Sequence, residues 1–525
     1  MYSCIVIGAG PGGLVSTKEI LEQDAGTILC LERSQTIGGV FSNSYDGLKL
    51  TSSSVFSMFS DYWIGEDRKH HFWNKEEVLE YWEGYAKTYG VLDHIRFNST
   101  VQSVSDQGES WKVALATGEN FECKRLVLAI GNNNVVNYPV WHDNLKDITY
   151  SHSKDYLNSD NFKGKRVLVV GGGESGSDVA YEISAVAEKC WVSLRESTGW
   201  VVPRKRGEHA SDVSTHRGIW NLPREYGEKL SPKILELERA RNDPIFDALA
   251  DLNEMVKTRY GIWGTYGTKT LALPKAIAHH GCEIVKDITE VNEGGKQLKT
   301  ACGNRLEDVD AVVFCTGYKN RVSFMPKGLR ECDPRQLYKH MFHGDLKERL
   351  AWVGWARPGF GSQFPIMEMQ ARFCAGVFAG THKLPTRSEM TEVARHDMAV
   401  YEDQFEHNAR RIRSLVDYFR YMDDIASLIG CQVPLNRYFW RHPLLWLKLV
   451  YGPMQATQFR LAGPGKKVAL AHSFLCKMPV SSFNHIVKAG LRGRIYYLRK
   501  SLLSRIMRVP PVSTKEKSGQ SIDNA

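Results

Sequence analysis

Residues 4–13 read CIVIGAGPGG, and this stretch decides the fold. Four apolar residues lead into Gly8-x-Gly10-x-x-Gly13, and a helical pattern follows, which predicts a strand, a glycine turn and a helix. We expect Gly8 to form the tight turn, Gly10 to let the backbone approach a pyrophosphate, and Gly13 to allow close packing of helix on strand. The phosphates would then lie on the amides and the positive end of the helix dipole.

A second apolar strand is predicted at residues 27–31, and Glu32 follows it directly. Glu32 stands about 20 residues past Gly13, where an acidic residue binds ribose hydroxyls in dinucleotide-binding folds. The first motif therefore predicts a site for a dinucleotide with a free ribose 2′-OH.

The same pattern occurs again at residues 167–176 (VLVVGGGESG), followed by a predicted strand at 190–194. Arg195 stands where Glu32 stands in the first unit, and a guanidinium binds the 2′-phosphate that a carboxylate would repel. Glu196 is a contrary signal beside it, yet the second motif predicts an NADP(H) site. A chain with both sites is most simply an FAD- and NADPH-dependent oxidoreductase; the alternative is that one glycine turn serves packing alone.

Candidate cofactor residues come from the two motifs and from two later segments. Small residues in the loop 38–41 (GGVF) let it lie against a flat ligand, and the hydroxyl run 51–54 can hydrogen-bond a cofactor edge. The predicted FAD residues are Gly8, Gly10, Pro11, Gly12, Gly13, Glu32, Gly39, Val40, Phe41, Thr51 and Ser52. The predicted NADP residues are Gly171, Gly173, Ser175, Gly176, Ser177 and Arg195.

The composition is that of an ordinary globular protein: the 525 residues are 42% hydrophobic and 24% charged, enough for two or three domains. The 11 cysteines include no C-x-x-C pair, so we expect reduced thiols, no metal site and no redox-active dithiol. No signal peptide is evident, and no apolar run reaches the ~18–20 residues of a membrane span. We expect a cytoplasmic protein without a nucleic-acid partner.

These signals predict an α/β fold with two Rossmann-like dinucleotide-binding domains, the FAD domain discontinuous and the NADPH domain inserted into it, followed by a mostly helical C-terminal region. The insert is predicted to carry helices at 232–241 and 244–260. Thr386 and Glu389 form a capping box that opens the C-terminal helices. The expected boundaries are 1–160 (FAD domain, first part), 161–305 (NADPH domain, insert 199–268), 306–385 (FAD domain, return), 386–474 (helical region) and 475–525 (tail).

Further motifs occur in a fixed order along the chain: GAGPGG at 8–13, FSD at 59–61, YSHSKDY at 150–156, GGGESGSD at 171–178, CTGY at 315–318, FPIMEMQAR at 364–372 and FRLAGPG at 459–465. In these motifs the chain resembles the flavin-containing monooxygenases, which are class B enzymes dependent on FAD and NADPH. The resemblance covers residues 1–472, and the last motif belongs to a C-terminal region particular to that family.

The resemblance implies that NADPH reduces FAD, that O₂ adds to the flavin C4a as a hydroperoxide, and that one oxygen atom passes to a nucleophilic N or S of a small molecule. It also implies an FAD contact for Gln370. Because the cofactor carries the chemistry, we predict no catalytic triad or dyad. The alternatives are a Baeyer–Villiger oxygenase acting on a ketone, a reductase without oxygen transfer, and a cofactor-holding scaffold.

Two departures from the family pattern bear on the substrate. Where the family has an Asn that hydrogen-bonds near the flavin edge, this chain has Ser52, and a hydroxyl offers fewer donors than an amide. We nevertheless predict Ser52 as the catalytic residue, through a hydrogen bond at the flavin edge. The signature before Tyr156 is also degraded, with Lys146 and Ile148 in place of Phe and Gly. Both departures fit a dedicated pathway such as secondary metabolism.

The C-terminal tail is strongly basic. Residues 477–508 carry eight Lys or Arg and no acid, and apolar residues recur there every three or four positions, which predicts a basic amphipathic helix. It would either attach peripherally to an anionic membrane or pack on the protein body. Residues 514–525 are polar and predicted to be disordered. The expected partners are O₂ and a small-molecule substrate, and no protein partner is predicted.

Overall fold

The computed structural model describes residues 1–65, 68–292 and 296–482, together with residues 491, 494–495 and 498–499. The fold is α/β: a mixed sheet and a parallel sheet are each built around one glycine turn, and the C-terminal part is dominated by helices. Most of the tail helix predicted at 477–508 lies outside the described residues, and residues 478–482, which are described, are not helical. The polar end at 514–525 lies outside them as well.

The first sheet has seven strands and leads into the first glycine turn. Its central strand, Tyr2–Ile7, pairs in parallel with Ile28–Leu31 on one side and Asn120–Leu128 on the other. The remaining strands are Ile95–Arg96, Val101–Asp106, Trp111–Leu115 and Leu350–Trp352. Because the last of these returns to the sheet from more than two hundred residues away, the first unit is discontinuous, as predicted.

The second sheet has five strands in the order Glu283–Lys286, Lys189–Leu194, Arg166–Val170, Ala311–Phe314 and Thr149–His152, all paired in parallel. The two strands at one end of that order fall outside the range 161–305 predicted for this domain. That prediction followed the contiguous strand–helix–strand unit, whereas parallel neighbours are joined by long crossovers. We therefore assign residues 149–152 and 311–314 to the second unit.

Short strands pair outside these sheets. They are Val135–Val136 with Tyr318–Lys319, Trp200–Val201 with Gly267–Thr268, Lys205–Arg206 with His209–Ala210, Arg357–Pro358 with Leu415–Val416, and the set Ile288–Val291, Leu298–Thr300 and Arg305–Leu306.

Helices cover both sheets and form most of the C-terminal region. They are Pro11–Glu22, Ser54–Ser57, Lys75–Thr88, Glu174–Ser184, Arg217–Trp220, Tyr226–Arg239, Pro244–Glu254, Ala272–His280, Gln363–Phe378, Arg387–Phe405, His407–Arg411, Tyr418–Ile429, Leu435–Arg441, Pro443–Tyr451 and Val468–Lys477. Within the described ranges, none of them combines the length and the apolar character that crossing a membrane requires.

Both helices predicted in the insert exist, but their bounds differ. The first begins at Tyr226, six residues before the Pro232 that was expected to open it, so the proline lies inside the helix. Tyr226 packs on Trp263, with ring centroids 6.0 Å apart, and such tertiary packing outweighs the local preference of proline for a first turn. The second helix ends at Glu254 instead of Tyr260.

A buried charge cluster joins the first helix to the C-terminal region. Arg460 donates to Glu19 of the helix Pro11–Glu22, to Glu368 of the helix Gln363–Phe378 at 2.9 Å, and to the Ser60 hydroxyl at 2.8 Å. Lys18, which lies on the same first helix, donates to the Asp61 carboxylate at 2.6 Å. The motifs at 59–61, 364–372 and 459–465, which are far apart in sequence, therefore meet in one place.

Charges in this cluster are matched. Lys467 bonds Asp61 and Glu22, both at 2.6 Å, so Glu19, Glu22 and Asp61, although close together, are each already paired with a cation. Burial raises the pKa of Glu19, but Arg460 and Lys18 outweigh this effect and bring the pKa down to about 2. Glu19 thus stays ionised in the folded protein.

We expect Arg460→Met to lower the free energy of unfolding by about 3–5 kcal/mol, because it leaves Glu19 and Glu368 buried without their shared cation. Urea denaturation followed by far-UV circular dichroism measures the change. The matched control is Arg96→Met, which removes an exposed pair with Glu119 and is expected to have little effect. Equal stability of the Arg460→Met variant and the wild-type protein would contradict the prediction.

Candidate active site

The first glycine turn has the geometry that close backbone packing requires. Gly8 has φ +102°, and a Cβ on it would lie 2.7 Å from the carbonyl oxygen of Ala129. A Cβ on Gly13 would lie 1.8 Å from the Gly8 carbonyl oxygen, so the helix can approach the strand only with glycine there. The helix starts at Pro11 after Gly10, and no side chain caps it. Its first amides therefore remain available to an anionic ligand.

The second glycine turn repeats this geometry almost atom for atom. Gly171 has φ +104°, with a Cβ position 2.6 Å from the Cys315 carbonyl oxygen, and a Cβ on Gly176 would lie 2.0 Å from the Gly171 carbonyl oxygen. The helix Glu174–Ser184 follows Gly173 without a side-chain cap, and a Cβ on Gly173 would meet nothing within 4 Å. The space over these amides is open, which suits a phosphate.

In each unit a charged residue follows the strand after the glycine-turn helix, and its charge differs between the units as the sequence predicts. Glu32 is buried at the first turn, where its carboxylate accepts from the Ala9 amide at 2.7 Å and the Ser34 amide at 2.9 Å. Arg195 is exposed at the end of the strand Lys189–Leu194. Glu196, the contrary signal, turns to His407 with an N–O distance of 2.8 Å, which leaves Arg195 free of it.

Other predicted cofactor residues fall into two groups. Gly39 lies opposite Gly10, with its Cβ position 3.3 Å from the Gly10 Cα, so the loop 38–41 does close over the first turn. Phe41 packs edge-on against Trp82, with centroids 5.1 Å apart, and Val40 is exposed.

In the second unit Ser175 is exposed at the helix start, whereas the Ser177 hydroxyl is buried and donates to the Gly172 carbonyl. The remaining predicted residues, Pro11, Gly12 and Thr51, lie on the same turn or beside Ser52.

Gln370 is fully buried and is bonded at both ends of its amide. Its Oε1 accepts from the Gly354 amide at 2.8 Å, and its Nε2 donates to the Tyr421 hydroxyl at 2.7 Å. These bonds position the loop at Gly354 and leave one Nε2 hydrogen, so the FAD contact of Gln370 stays a prediction.

Ser52 lies in a region, here called the seam, formed by residues 50–53, Lys269 and Gly361. The Lys269 Nζ donates to the Ser52 Oγ at 3.0 Å and to the Gly361 carbonyl at 2.8 Å. The Lys269 amide points to the Glu174 carboxylate at 3.5 Å, at the start of the second glycine-turn helix. The seam therefore connects both parts of the first unit with the second glycine turn.

Asp212 adds a buried carboxylate to the seam. It accepts from the Ser53 amide at 2.6 Å and the Ser53 hydroxyl at 2.8 Å. Burial raises the pKa of Asp212, while Lys269 and the Ser53 hydrogen bonds oppose that rise. Burial lowers the pKa of Lys269, against the opposing charges of Asp212 and Glu174. Sequence reasoning missed both residues because neither belongs to a motif. Asp212 lies in the insert and Lys269 directly follows it, and each is more than 150 residues from Ser52.

The geometry fits two dinucleotides. Each turn offers uncapped helix amides, glycines that leave no room for a Cβ beneath them, and one charged residue suited to the ribose of its cofactor. A protein with these two sites meeting at a polar seam belongs to the two-dinucleotide flavoprotein oxidoreductases.

Comparisons with known proteins narrow this class. Residues 2–482 match the flavin-binding monooxygenase-like family. The chain is 31% identical over 517 residues to a 4-hydroxybenzoate brominase (decarboxylating) of Pseudoalteromonas luteoviolacea, covering 95% of this chain and 97% of the relative. It is also 31% identical over 490 residues to flavin-containing monooxygenase 5 of Oryctolagus cuniculus, covering 88% and 89% of the two chains.

Solved structures agree on the fold. S-allyl-L-cysteine S-oxygenase from Allium sativum superposes with a TM-score of 0.59 at 18% identity, covering 95% of this chain and 99% of the other. Cyclohexanone monooxygenase from Rhodococcus, bound to NADP⁺, superposes with a TM-score of 0.59 at 19% identity, covering 82% of this chain and 97% of the other.

The chain belongs to the flavin-binding monooxygenase-like family. It is a flavoprotein monooxygenase that uses FAD and NADPH, with O₂ and a small molecule as its other reactants.

We expect Arg195→Ala to raise the KM for NADPH about ten- to a hundredfold and to leave the KM for NADH nearly unchanged, because only NADPH carries the phosphate that the guanidinium would bind. Steady-state cofactor oxidation measures both constants, and FAD content should not change. Glu196→Ala is the matched control, since its carboxylate pairs with His407. Equal losses for the two cofactors would contradict the assignment.

Proposed function

We propose that this enzyme forms a C4a-hydroperoxyflavin from FAD, NADPH and O₂ and transfers one oxygen atom to a nucleophilic N or S of a small molecule. The observation that carries this proposal is the pair of matched glycine turns followed by Glu32 and Arg195 in a chain of this family. Two cofactor sites of different ribose preference suit hydride transfer from NADPH to a flavin.

Each cofactor residue has one task in this proposal. The amides after Gly10 bind the FAD pyrophosphate, and Glu32 accepts from its ribose hydroxyls. The amides after Gly173, the exposed Ser175 and Arg195 bind the NADPH phosphates. The Ser52 hydroxyl donates a hydrogen bond at the flavin edge. The enclosing side chains, Phe41 and Trp82 among them, keep water away from the reacting centre.

The alternatives that the sequence left open are weaker. A reductase that passes electrons on through a dithiol would need paired thiols that a partner can reach. Cys190 and Cys282 are adjacent, but both are buried. The likeness to cyclohexanone monooxygenase, at 19% identity, concerns the fold and does not favour a ketone substrate.

A second candidate function is the oxidation of bromide. It is favoured by the 31% identity to the brominase, which extends over 95% of this chain. Bromide, thioethers and amines are all nucleophiles, so the same oxygenated flavin could serve each of them. The product would then be an electrophilic bromine that reacts with a phenol.

A stopped-flow experiment tests the first proposal. The enzyme is reduced with NADPH without oxygen and mixed with oxygenated buffer, and we expect the absorbance band of a C4a-hydroperoxyflavin that lasts for seconds or longer. A thioether or an amine should accelerate its decay, because each accepts the oxygen atom, while a ketone should not. Faster decay with a ketone alone would favour Baeyer–Villiger chemistry.

The same experiment separates bromide from organic substrates. Faster decay with sodium bromide, and not with sodium nitrate as the ionic-strength control, would favour the second candidate, and mass spectrometry of a phenol added to the mixture would detect bromination. Immediate reoxidation with stoichiometric H₂O₂ under all these conditions would contradict both candidate functions.

We further propose that the enzyme works in the cytoplasm and contacts an anionic membrane surface through residues 477–508. The free cysteines are consistent with a reducing compartment. The helices Leu435–Arg441 and Pro443–Tyr451, the second of which packs on the helix Val468–Lys477 that leads into this segment, expose Phe439, Trp440, Leu444 and Leu447. Exposed apolar side chains beside a basic segment suit a membrane interface.

Deletion of residues 476–525 should abolish binding to vesicles that contain phosphatidylserine, because it removes the basic segment. Vesicle co-sedimentation measures the binding, and a flavin spectrum confirms that the variant is folded. Trp440→Ser combined with Leu444→Ser should weaken binding while leaving its salt dependence intact. Zwitterionic vesicles serve as the control, and unchanged binding of the deletion variant would contradict the membrane proposal.

A further inference from the structure

Lys269 is the most unusual charged residue of the seam. It follows the strand Gly267–Thr268 and is buried, with 7% of its surface exposed. Its ammonium bonds two neutral oxygens, the Ser52 hydroxyl and the Gly361 carbonyl. Among the residues that the structure describes, no carboxylate forms an ion pair with the Lys269 nitrogen within 4.0 Å. A buried cation without a carboxylate partner destabilises a protein, and such a cost is retained where function requires it.

Nearby carboxylates are committed elsewhere. Asp212 is held by the Ser53 amide and hydroxyl, and Glu174 faces the Lys269 backbone amide. Both lower the electrostatic cost of the ammonium without bonding it. On its remaining side Lys269 lies over the Phe56 ring, with Nζ 5.9 Å from the centroid.

The direction of the hydrogen bond to Ser52 has a chemical consequence. An ammonium can only donate, so the Ser52 Oγ acts as the acceptor and its own hydrogen is left to be donated onward. Donation from a charged group also polarises the hydroxyl and makes its hydrogen a stronger donor. Within the part of the chain that the structure describes, the Ser52 hydroxyl bonds one acceptor, the Gly361 carbonyl, at a long 3.3 Å, and Lys269 already bonds that carbonyl at 2.8 Å.

We propose that Lys269 is a positioning residue that orients and polarises the Ser52 hydroxyl as a hydrogen-bond donor toward the oxygen being transferred. The proposal rests on the proposed function and deepens it, since it names the residue through which Ser52 acts. It also explains how a serine, with one donor, can serve at the flavin edge.

A double-mutant cycle on the holoenzyme tests this relation. Lys269→Met and Ser52→Ala should each shorten the lifetime of the oxygenated flavin about ten- to a hundredfold and increase H₂O₂ release accordingly. Because Lys269 acts through Ser52, the double variant should be no more than about twofold worse than the poorer single variant. Lys275→Met, in the half-buried start of the neighbouring helix Ala272–His280, is the control and should match wild type.

Two results would overturn the proposal. One is a Lys269→Met enzyme with the wild-type lifetime, and the other is a double variant whose loss is the product of the single losses. A general folding defect would also reduce FAD content and NADPH reduction rate, so both are measured for each variant. For Lys269→Met we expect both to stay within about twofold of wild type, since neither cofactor turn includes Lys269.

The resting enzyme provides a test that does not depend on oxygen. The flavin absorption band of the oxidised wild-type holoenzyme should shift as Lys269 loses its proton, at a pH below that of an ordinary lysine because burial lowers its pKa against the charges of Asp212 and Glu174. The shift should disappear in both Lys269→Met and Ser52→Ala. If it persists in Ser52→Ala, Lys269 does not act through Ser52.

This titration separates two kinds of failure. If wild type shows no oxygenated flavin but the titration behaves as described, the proposed function is wrong and the Lys269–Ser52 link stands. If the oxygenated flavin forms and the titration is the same in all variants, the proposed function stands and the link is wrong.

Discussion

The buried charge cluster around Arg460 is the constraint on which the rest of the structure depends. Glu19 and Lys18 lie on the helix that begins at the first glycine turn, so their pairing with Arg460 and Asp61 fixes the orientation of that helix. A buried carboxylate without a cation is costly, and the pairing therefore holds the C-terminal motif against this helix. A segment more than 400 residues away in sequence thus helps to fix the helix that follows the first glycine turn.

The two cofactor units have the same backbone geometry at their glycine turns and differ in the charge of one residue. In both, a glycine at positive φ lies against a carbonyl of the neighbouring strand segment, and a second glycine lies against the first. What distinguishes them is the residue after the next strand, Glu32 or Arg195. The seam differs from the Arg460 cluster in how its charges are paired. Every carboxylate of the cluster has a cation, whereas in the described part of the chain the Lys269 ammonium bonds two neutral groups and no carboxylate.

Local features of the sequence predicted most of what lies along one stretch of chain. Both glycine turns, their strands and the capping box at Thr386 depend on neighbouring residues, and the structure has them. The strands at 149–152 and 311–314 pair in the second sheet although they lie outside residues 161–305, because strand pairing is a long-range property. The sequence did not indicate Lys269 for the same reason, because its contact with Ser52 spans 217 residues. In the helix Tyr226–Arg239, the packing of Tyr226 on Trp263 outweighs the preference of Pro232 for the first turn of a helix.

The charge of the seam also bears on which nucleophile reaches the flavin. An amine is mostly protonated near neutral pH, and a second cation close to the ammonium of Lys269 is repelled. A thioether is neutral and meets no such barrier. In our proposal, a serine that acts with a lysine behind it brings an ammonium close to the flavin edge. Asp212 and Glu174 offset part of that charge, so the preference for a neutral thioether over a protonated amine depends on how close the substrate comes to the Lys269 nitrogen.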